Sequence, residues 1–398
     1  MTARYKWSVV AMLWWIAFFN YADRQAIFSV FPLLERELRL STVQLGLLGS
    51  SFAWVYGIFS PIAGTIVDRV RRKSAILGGL HLWSAICMAT AASRGFGALL
   101  FFRAAEGLGE SFYFPAGVSM VSAYHGGSTR SRALGLHQTS VYIGTIGGAS
   151  VAGWIAQHYG WRAPFVIFGA AGVVLGLVLS RLLVEPPRAT ATARVPVATF
   201  LRTLKPAAIL LMLAFLCANF VAVVLLSWMP KFLYDEFHLS LAASGLTATI
   251  FTQLASMAGS PIGGWLADVL HRRTPAGRAI VQAIGVFGGT SFVVLTGLTR
   301  SIPVLIAALA AWGFFKGLYD ANIFAAIFDA VPEEARGTAA GLMNMTGWIG
   351  GGAAPLIVGI VATRTGLGAA IAMTAGLYVV AGVLLVAASF QFAAKKHE

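Results

Sequence analysis

Long apolar runs alternate with short polar breaks from one end of the chain to the other. The runs cover 6–34, 43–67, 74–93, 97–123, 133–157 and 161–184, then 207–234, 242–267, 279–298, 302–331, 338–363 and 366–392. Crossing the hydrocarbon of a bilayer takes a helix of about 20 apolar residues. Membrane strands would instead show short segments of alternating polarity, and these runs are too long and too uniform for that. The pattern predicts an all-α membrane protein with twelve transmembrane helices.

Composition agrees with this reading. Of 398 residues, 58% are hydrophobic and 11% charged, with a mean hydropathy of +0.77. Soluble domains carry about a quarter charged residues, so the lipid bilayer surrounds most of this chain. The formal charge of +14 raises nucleic acid as a partner, and its distribution argues against one. Basic residues gather in alternate loops, at Arg69, Arg71, Arg72 and Lys73, at Arg130 and Arg132, at Arg188, Arg194, Arg202 and Lys205, and at Arg272, Arg273 and Arg278. Counting residues near the run ends with the adjoining loops, 19 of the 29 lysines and arginines fall on one side of the expected membrane and 7 on the other, and Arg24, Arg103 and Lys316 lie deep within runs. This positive-inside bias predicts an even number of spans, a multi-pass protein of the cell inner membrane, and cytoplasmic N and C termini.

The first run could be a secretory signal, but Asn20-Tyr21-Ala22-Asp23-Arg24 stands where a small-residue cleavage site would be, so a retained span is expected. Cys87 and Cys217 both lie inside apolar runs, which suggests neither a disulfide framework nor a metal site. No nucleophile arrangement, phosphate loop or metal-ligand cluster is evident. An enzyme is not expected, and no cofactor is implied.

One interior polar stretch, 185–206, with Pro186-Pro187, divides the runs into six and six. The expected domains are a six-helix bundle over 1–184, a cytoplasmic linker over 185–206 and a second six-helix bundle over 207–398. The halves repeat. Ser60-Pro61-Ile62-x-Gly64-x3-Asp68 returns as Ser260-Pro261-Ile262-x-Gly264-x3-Asp268. Leu40-Ser41 and Gly46 match Leu239-Ser240 and Gly245, and Arg130, Gly135, Leu136 and Gly144 match Arg336, Gly341, Leu342 and Gly350. Collinear matches at nearly constant offset indicate a duplicated unit, the way many transporters build a midplane site.

Gly64-x3-Asp68-Arg69-x-Arg71-Arg72-Lys73 resembles the cytoplasmic loop motif of the major facilitator superfamily. The resemblance runs over essentially the whole chain and implies that superfamily's fold, two pseudo-symmetric six-helix halves. It also implies a gating role for Gly64, Asp68 and Arg72, and for Asp268 and Arg272 in the second copy. Positive-inside charge alone would explain the cations but not the Gly–Asp spacing. Within the superfamily, Asn20-Tyr21-x-Asp23-Arg24, Phe52-Ala53-Trp54-x-Tyr56 and Arg103-x6-Glu110-x4-Pro115 resemble the anion:cation symporters. Gly107-x-Gly109-Glu110 and Asn20-Tyr21 also resemble the Spinster-type lipid transporters.

A charge at the centre of a lipid-exposed helix costs at least about 2.5–3.5 kcal/mol, so Asp23, Arg24, Arg103 and Glu110 are expected to face polar surroundings with partners. Arg103 and Glu110 are two turns apart on one helix face. Arg24 and Arg103 suit a carboxylate, because a guanidinium binds a planar oxyanion through two bonds and stays charged. Asp23 and Glu110 are the groups able to exchange protons. The symporter resemblance implies the same roles, proton sites at Asp23 and Glu110 and substrate contacts at Arg24 and Arg103. The plainer reading is that the acids only neutralise the arginines, and Glu106, one turn from Arg103, can do so within its helix.

In the second half, Asp320 aligns with Glu110 by the repeat and is a further proton-coupling candidate, while Lys316, four residues before it, can simply pair with it. Tyr56, Gln138 and Asn344 are candidates to line a substrate cavity, although interhelical hydrogen bonding explains such residues equally well. Gly144, Gly147 and Gly148 are expected to let helices approach closely. The function implied is a proton-coupled symporter of a small organic anion, working as a monomer. The alternatives are a Spinster-like exporter of a lipid or amphiphile, or a non-transporting sensor of the same fold.

Overall fold

The computed structural model describes residues 3–126, 129–186 and 204–394, except the side chains of a few of them, Asp68 included. Among these residues the regular structure is helical throughout. In chain order the helices are α1 (Ala3–Ser29), α2 (Phe31–Leu38), α3 (Thr42–Arg69), α4 (Arg72–Thr90), α5 (Phe96–Glu110), α6 (Tyr113–Tyr124), α7 (Arg130–Tyr159) and α8 (Arg162–Leu182). After the linker come α9 (Pro206–Phe237), α10 (Leu241–His271), α11 (Gly277–Leu298), α12 (Ile302–Asp320), α13 (Ile323–Ala330), α14 (Arg336–Thr365), α15 (Leu367–Met373) and α16 (Ala375–Ala394).

The sequence repeat is a backbone repeat, and its matched residues have identifiable jobs. Ser41 caps α3, taking the Gln44 N–H at 3.2 Å while the Gln44 side chain accepts the Ser41 N–H at 2.9 Å. Its counterpart Ser240 caps α10 through the Ala243 N–H at 3.2 Å. Just before each serine the chain turns through the left-handed region, at Arg39 (φ 52°) and His238 (φ 53°). The other left-handed residues described, Gly160 and Gly366, are also counterparts, each with φ 80°. Glycine meets that conformation without a Cβ clash.

Two runs expected to be single helices are broken at counterpart places. The run 97–123 stops at Glu110 and resumes at Tyr113, and 302–331 stops at Asp320 and resumes at Ile323. Pro115 accounts for the first break, since it has no N–H to offer the carbonyl of Ser111 and its ring crowds that turn. At the second, Asn322 donates to the carbonyls of Gly263 (3.2 Å) and Leu318 (3.1 Å) and fixes the bend. The runs 6–34 and 366–392 also divide, near Val30 and Thr374.

Among the described residues, eight helical segments are long and apolar enough to cross a membrane. The helices outside these eight include α1, with Asn20, Asp23, Arg24 and Gln25, and α5, which has 15 residues and carries Arg103, Glu106 and Glu110. Polar residues thin the apolar content where the candidate chemistry lies.

The chain divides into two compact units. The first comprises Met1–Ala191 with Met229–Thr249, and the second Thr192–Trp228 with Ile250–Glu398. In the first, α1 packs on α7, α3 on α5, and α4 on both α5 and α8. The α1–α7 seam is closed by glycine, as expected: a Cβ on Gly148 would lie 2.4 Å from the Ala22 Cα. In the second, α11 packs on α12 and α16.

Candidate functional site: a buried charge cluster in the first unit

Five ionisable side chains gather between α1 and α5. Asp23 and Arg103 are 0% exposed, Glu106 and Glu110 1%, and Arg24 8%. The α3–α5 contact that shapes the cluster is backbone against backbone, since a Cβ on Gly107 would lie 2.5 Å from the Phe52 carbonyl oxygen. That approach brings the aromatic residues of α3 over the arginines.

Arg24 reaches from α1 to Glu110 on α5. Its Nη2 lies 2.7 Å and its Nε 3.2 Å from Glu110 Oε2, and Nη2 also donates to Asn20 Oδ1 at 3.4 Å. The guanidinium carbon is 4.7 Å from the Tyr21 ring centre, 4.9 Å from that of Phe52 and 4.8 Å from that of Tyr56. Three rings hold the cation by cation–π attraction in a desolvated place, where such contacts are strongest. The Asn20-Tyr21 and Phe52-x3-Tyr56 stretches thus meet around one guanidinium.

The seven-residue spacing of Arg103 and Glu110 suggests a shared face, and the structure gives each a different partner. Arg103 is paired with Glu106, one turn away on α5, and lies 4.8 Å from the same Phe52 ring. Its Nε and Nη2 have no hydrogen-bond partner among the described residues. The neutralising contact available to Glu106 is therefore made. Asp23 is as deeply buried as Arg103, yet neither of its carboxylate oxygens has a hydrogen-bond partner among the described residues.

Other candidates lie elsewhere. Tyr56 belongs to the Arg24 cage, Gln138 is exposed on α7, and Asn344 is half-buried on α14 in the second unit. Lys316 and Asp320 do pair within α12. They line a small cavity of about 30 Å³ together with Asn219, Tyr319 and Tyr378.

Of the loop motif, Gly64 has open space where a Cβ would stand, and the Asp68 side chain lies outside the described residues. Arg72 donates from Nε to Ser119 Oγ at 2.7 Å. A residue that sequence reading passed over, Glu185, closes the start of α4 by accepting the Arg72 N–H at 2.9 Å and the Lys73 N–H at 2.7 Å. Its position beside the basic loop is the only signal the sequence offers. In the second copy Arg272 is exposed, and Arg278 is the cation near Asp268, at 3.6 Å. Arg278 holds both oxygens of Asp329, at 2.6 and 2.5 Å. Lys231 is buried on α9 and bonded to Glu35 and Asp235.

The profile of the Major Facilitator Superfamily matches residues 13–296 and 232–396. The chain belongs to that superfamily. It is a membrane transporter by family, not an enzyme. It is 25% identical to a hexuronate transporter of Bacillus subtilis (strain 168), over 98% of this chain and 94% of the relative. It is likewise 25% identical to a probable galactarate/D-glucarate transporter of Escherichia coli (strain K12), over 92% and 88%. Among solved structures, a bacterial homologue of the human lysosomal transporter Spinster, in an inward-facing and unoccupied conformation, superposes with a TM-score of 0.84. That match covers 98% of each chain at 22% identity, and it is a likeness of fold.

Proposed function

We propose that this transporter is a proton-coupled symporter of a small organic anion of the sugar-acid class, working by alternating access. The arrangement that carries the proposal is Arg24, held by aromatic rings and by the carboxylate of Glu110. A carboxylate on an incoming sugar acid is chemically the same partner as Glu110. When Glu110 takes a proton, it gives up its charge-assisted bond and Arg24 is left to pair with the substrate. Proton and a monoanion such as a hexuronate together add no net charge to a buried site, which avoids the several kcal/mol that an uncompensated ion costs there, and a dianion such as galactarate needs a second proton for the same balance.

Asp23 and, in the second unit, Asp320 are assigned to proton coupling as well. Arg103 is assigned to the substrate once it leaves Glu106, with Tyr56, Gln138 and Asn344 as lining residues. Gly64, Asp68, Arg72, Asp268 and Arg272 are assigned to gating. The same proposal includes twelve spans in halves 1–184 and 207–398 joined by 185–206, cytoplasmic termini, an inner-membrane location and a monomeric working unit. The names of the relatives support the substrate class, and the positive-inside bias supports the orientation.

The test is uptake of hexuronates, galactarate and glucarate into proteoliposomes with and without an inward proton gradient. Accumulation that needs the gradient supports the proposal. Uptake indifferent to the gradient removes the coupling, and no uptake of any sugar acid removes the substrate class.

A further inference from the structure

The charged core of the first unit holds three carboxylates and two guanidinium groups. Glu110 takes Arg24 and Glu106 takes Arg103, which leaves Asp23 over. One oxygen of Asp23, one of Glu106 and the Sγ of Cys87 lie within 4.8 Å of one another. Asp23 is 0% exposed and both of its oxygens lack a hydrogen-bond partner among the described residues, as does Glu106 Oε1. We propose that Asp23 and Glu106 hold one shared proton in the resting protein, which makes Glu106 a member of the proton site and not only the counter-ion of Arg103.

With all five groups ionised the core carries one uncompensated negative charge, and a buried unpaired ion costs several kcal/mol. One bound proton removes it. Buried polar atoms without partners are rare because each forfeits a hydrogen bond. A proton on either carboxyl supplies the missing donor, and a side-chain rotation closes the gap to an O–H···O bond. Two carboxylates this close do not both ionise readily, and sharing a proton is the ordinary outcome for such a pair.

The surroundings favour a proton over a metal ion. From α4, Cys87 lies with its Sγ 3.5 Å from the Phe165 carbonyl oxygen, a contact that suits a thiol donor and not a metal-binding thiolate. Trp83, also on α4, turns its indole N–H toward Asp23 but falls short of hydrogen-bond geometry, so it polarises the site without supplying the missing donor. From α5 the facing groups are Arg103, Glu106 and Glu110, and from α1 the neighbour is Arg24. Two fixed guanidinium charges repel a divalent cation from this place far more than they oppose a proton that neutralises one carboxylate.

The proposal stands apart from substrate choice, and its test uses none. Infrared spectroscopy of the purified full-length protein at neutral pH, with exchange into heavy water, reads the carbonyl band of a protonated carboxyl. The expected result is a band in the wild type that is lost in Asp23→Asn and shifted in Glu106→Gln. Because Glu106→Gln strips Arg103 of its counter-ion and can unfold the chain, Glu106→Asp is measured beside it. That variant keeps the charge, shortens the reach and also shifts the band. Absence of the band in the wild type overturns the proposal. So does a band that disappears only in Glu110→Gln, or one that ignores both Glu106 variants. Thermal stabilisation of the wild type by sodium or zinc that vanishes in Asp23→Asn also overturns it, in favour of a metal site.

Discussion

Arg24 on α1 and Glu110 on α5, 86 positions apart, meet with Nη2 2.7 Å from Oε2. The bond crosses two helices, and rings from α1 and α3 surround the cation. A transporter that exchanges one carboxylate for another at this guanidinium needs both its fork geometry and its fixed charge.

Arg24→Lys keeps the charge and loses the fork and the planar stacking. Substrate affinity should fall by about tenfold or more, or at least about 1.4 kcal/mol, in isothermal titration with a sugar acid. Unchanged affinity would show that Arg24 is structural.

Glycine substitutions separate packing from gating. Gly148→Ala sets a Cβ 2.4 Å from the Ala22 Cα, and Gly107→Ala one 2.5 Å from the Phe52 oxygen. Each should destabilise by about 1–3 kcal/mol, the usual cost of overpacking, and lower the thermal unfolding temperature. Gly64→Ala meets open space and should leave that temperature unchanged while altering transport, if its role is gating.

Glu185 holds two backbone N–H groups at the start of α4, at 2.9 and 2.7 Å. Glu185→Ala should cost about 0.5–2 kcal/mol, the range for loss of a helix cap. Arg72→Gln leaves both backbone bonds in place and should cost less by thermal denaturation. Equal losses would assign the effect to the Arg72 side chain instead.

A double-mutant cycle decides whether Lys316 and Asp320 act as a unit. Lys316→Met and Asp320→Asn each strand a partner in a partly buried place. The double variant should be more stable than the summed single effects indicate, with a coupling of about 0.5–3 kcal/mol. Additive effects would mean that each residue serves another partner.

Much of this was legible in the sequence. Hydropathy places helices within all twelve runs, the repeat aligns Ser41 with Ser240, and depth in an apolar run identifies Asp23, Arg24, Arg103 and Glu110 as buried charges. Pairing was not legible. Spacing along one helix can relate Arg103 to Glu106 or Glu110, but Arg24 reaches Glu110 only after α1 and α5 dock. The breaks after Glu110 and Asp320 were hidden because an apolar run continues through them. Glu185 was hidden because a cap supplied from more than a hundred residues away leaves no local pattern.

The most direct measurement of the central claim is proton movement caused by substrate alone. Wild-type proteoliposomes without an imposed gradient, loaded with a pH-sensitive dye, should acidify inside when a hexuronate or galactarate is added outside. Glu110→Gln should bind the same anion without acidification. Substrate entry with no pH change in the wild type, or full acidification in Glu110→Gln, would contradict the account.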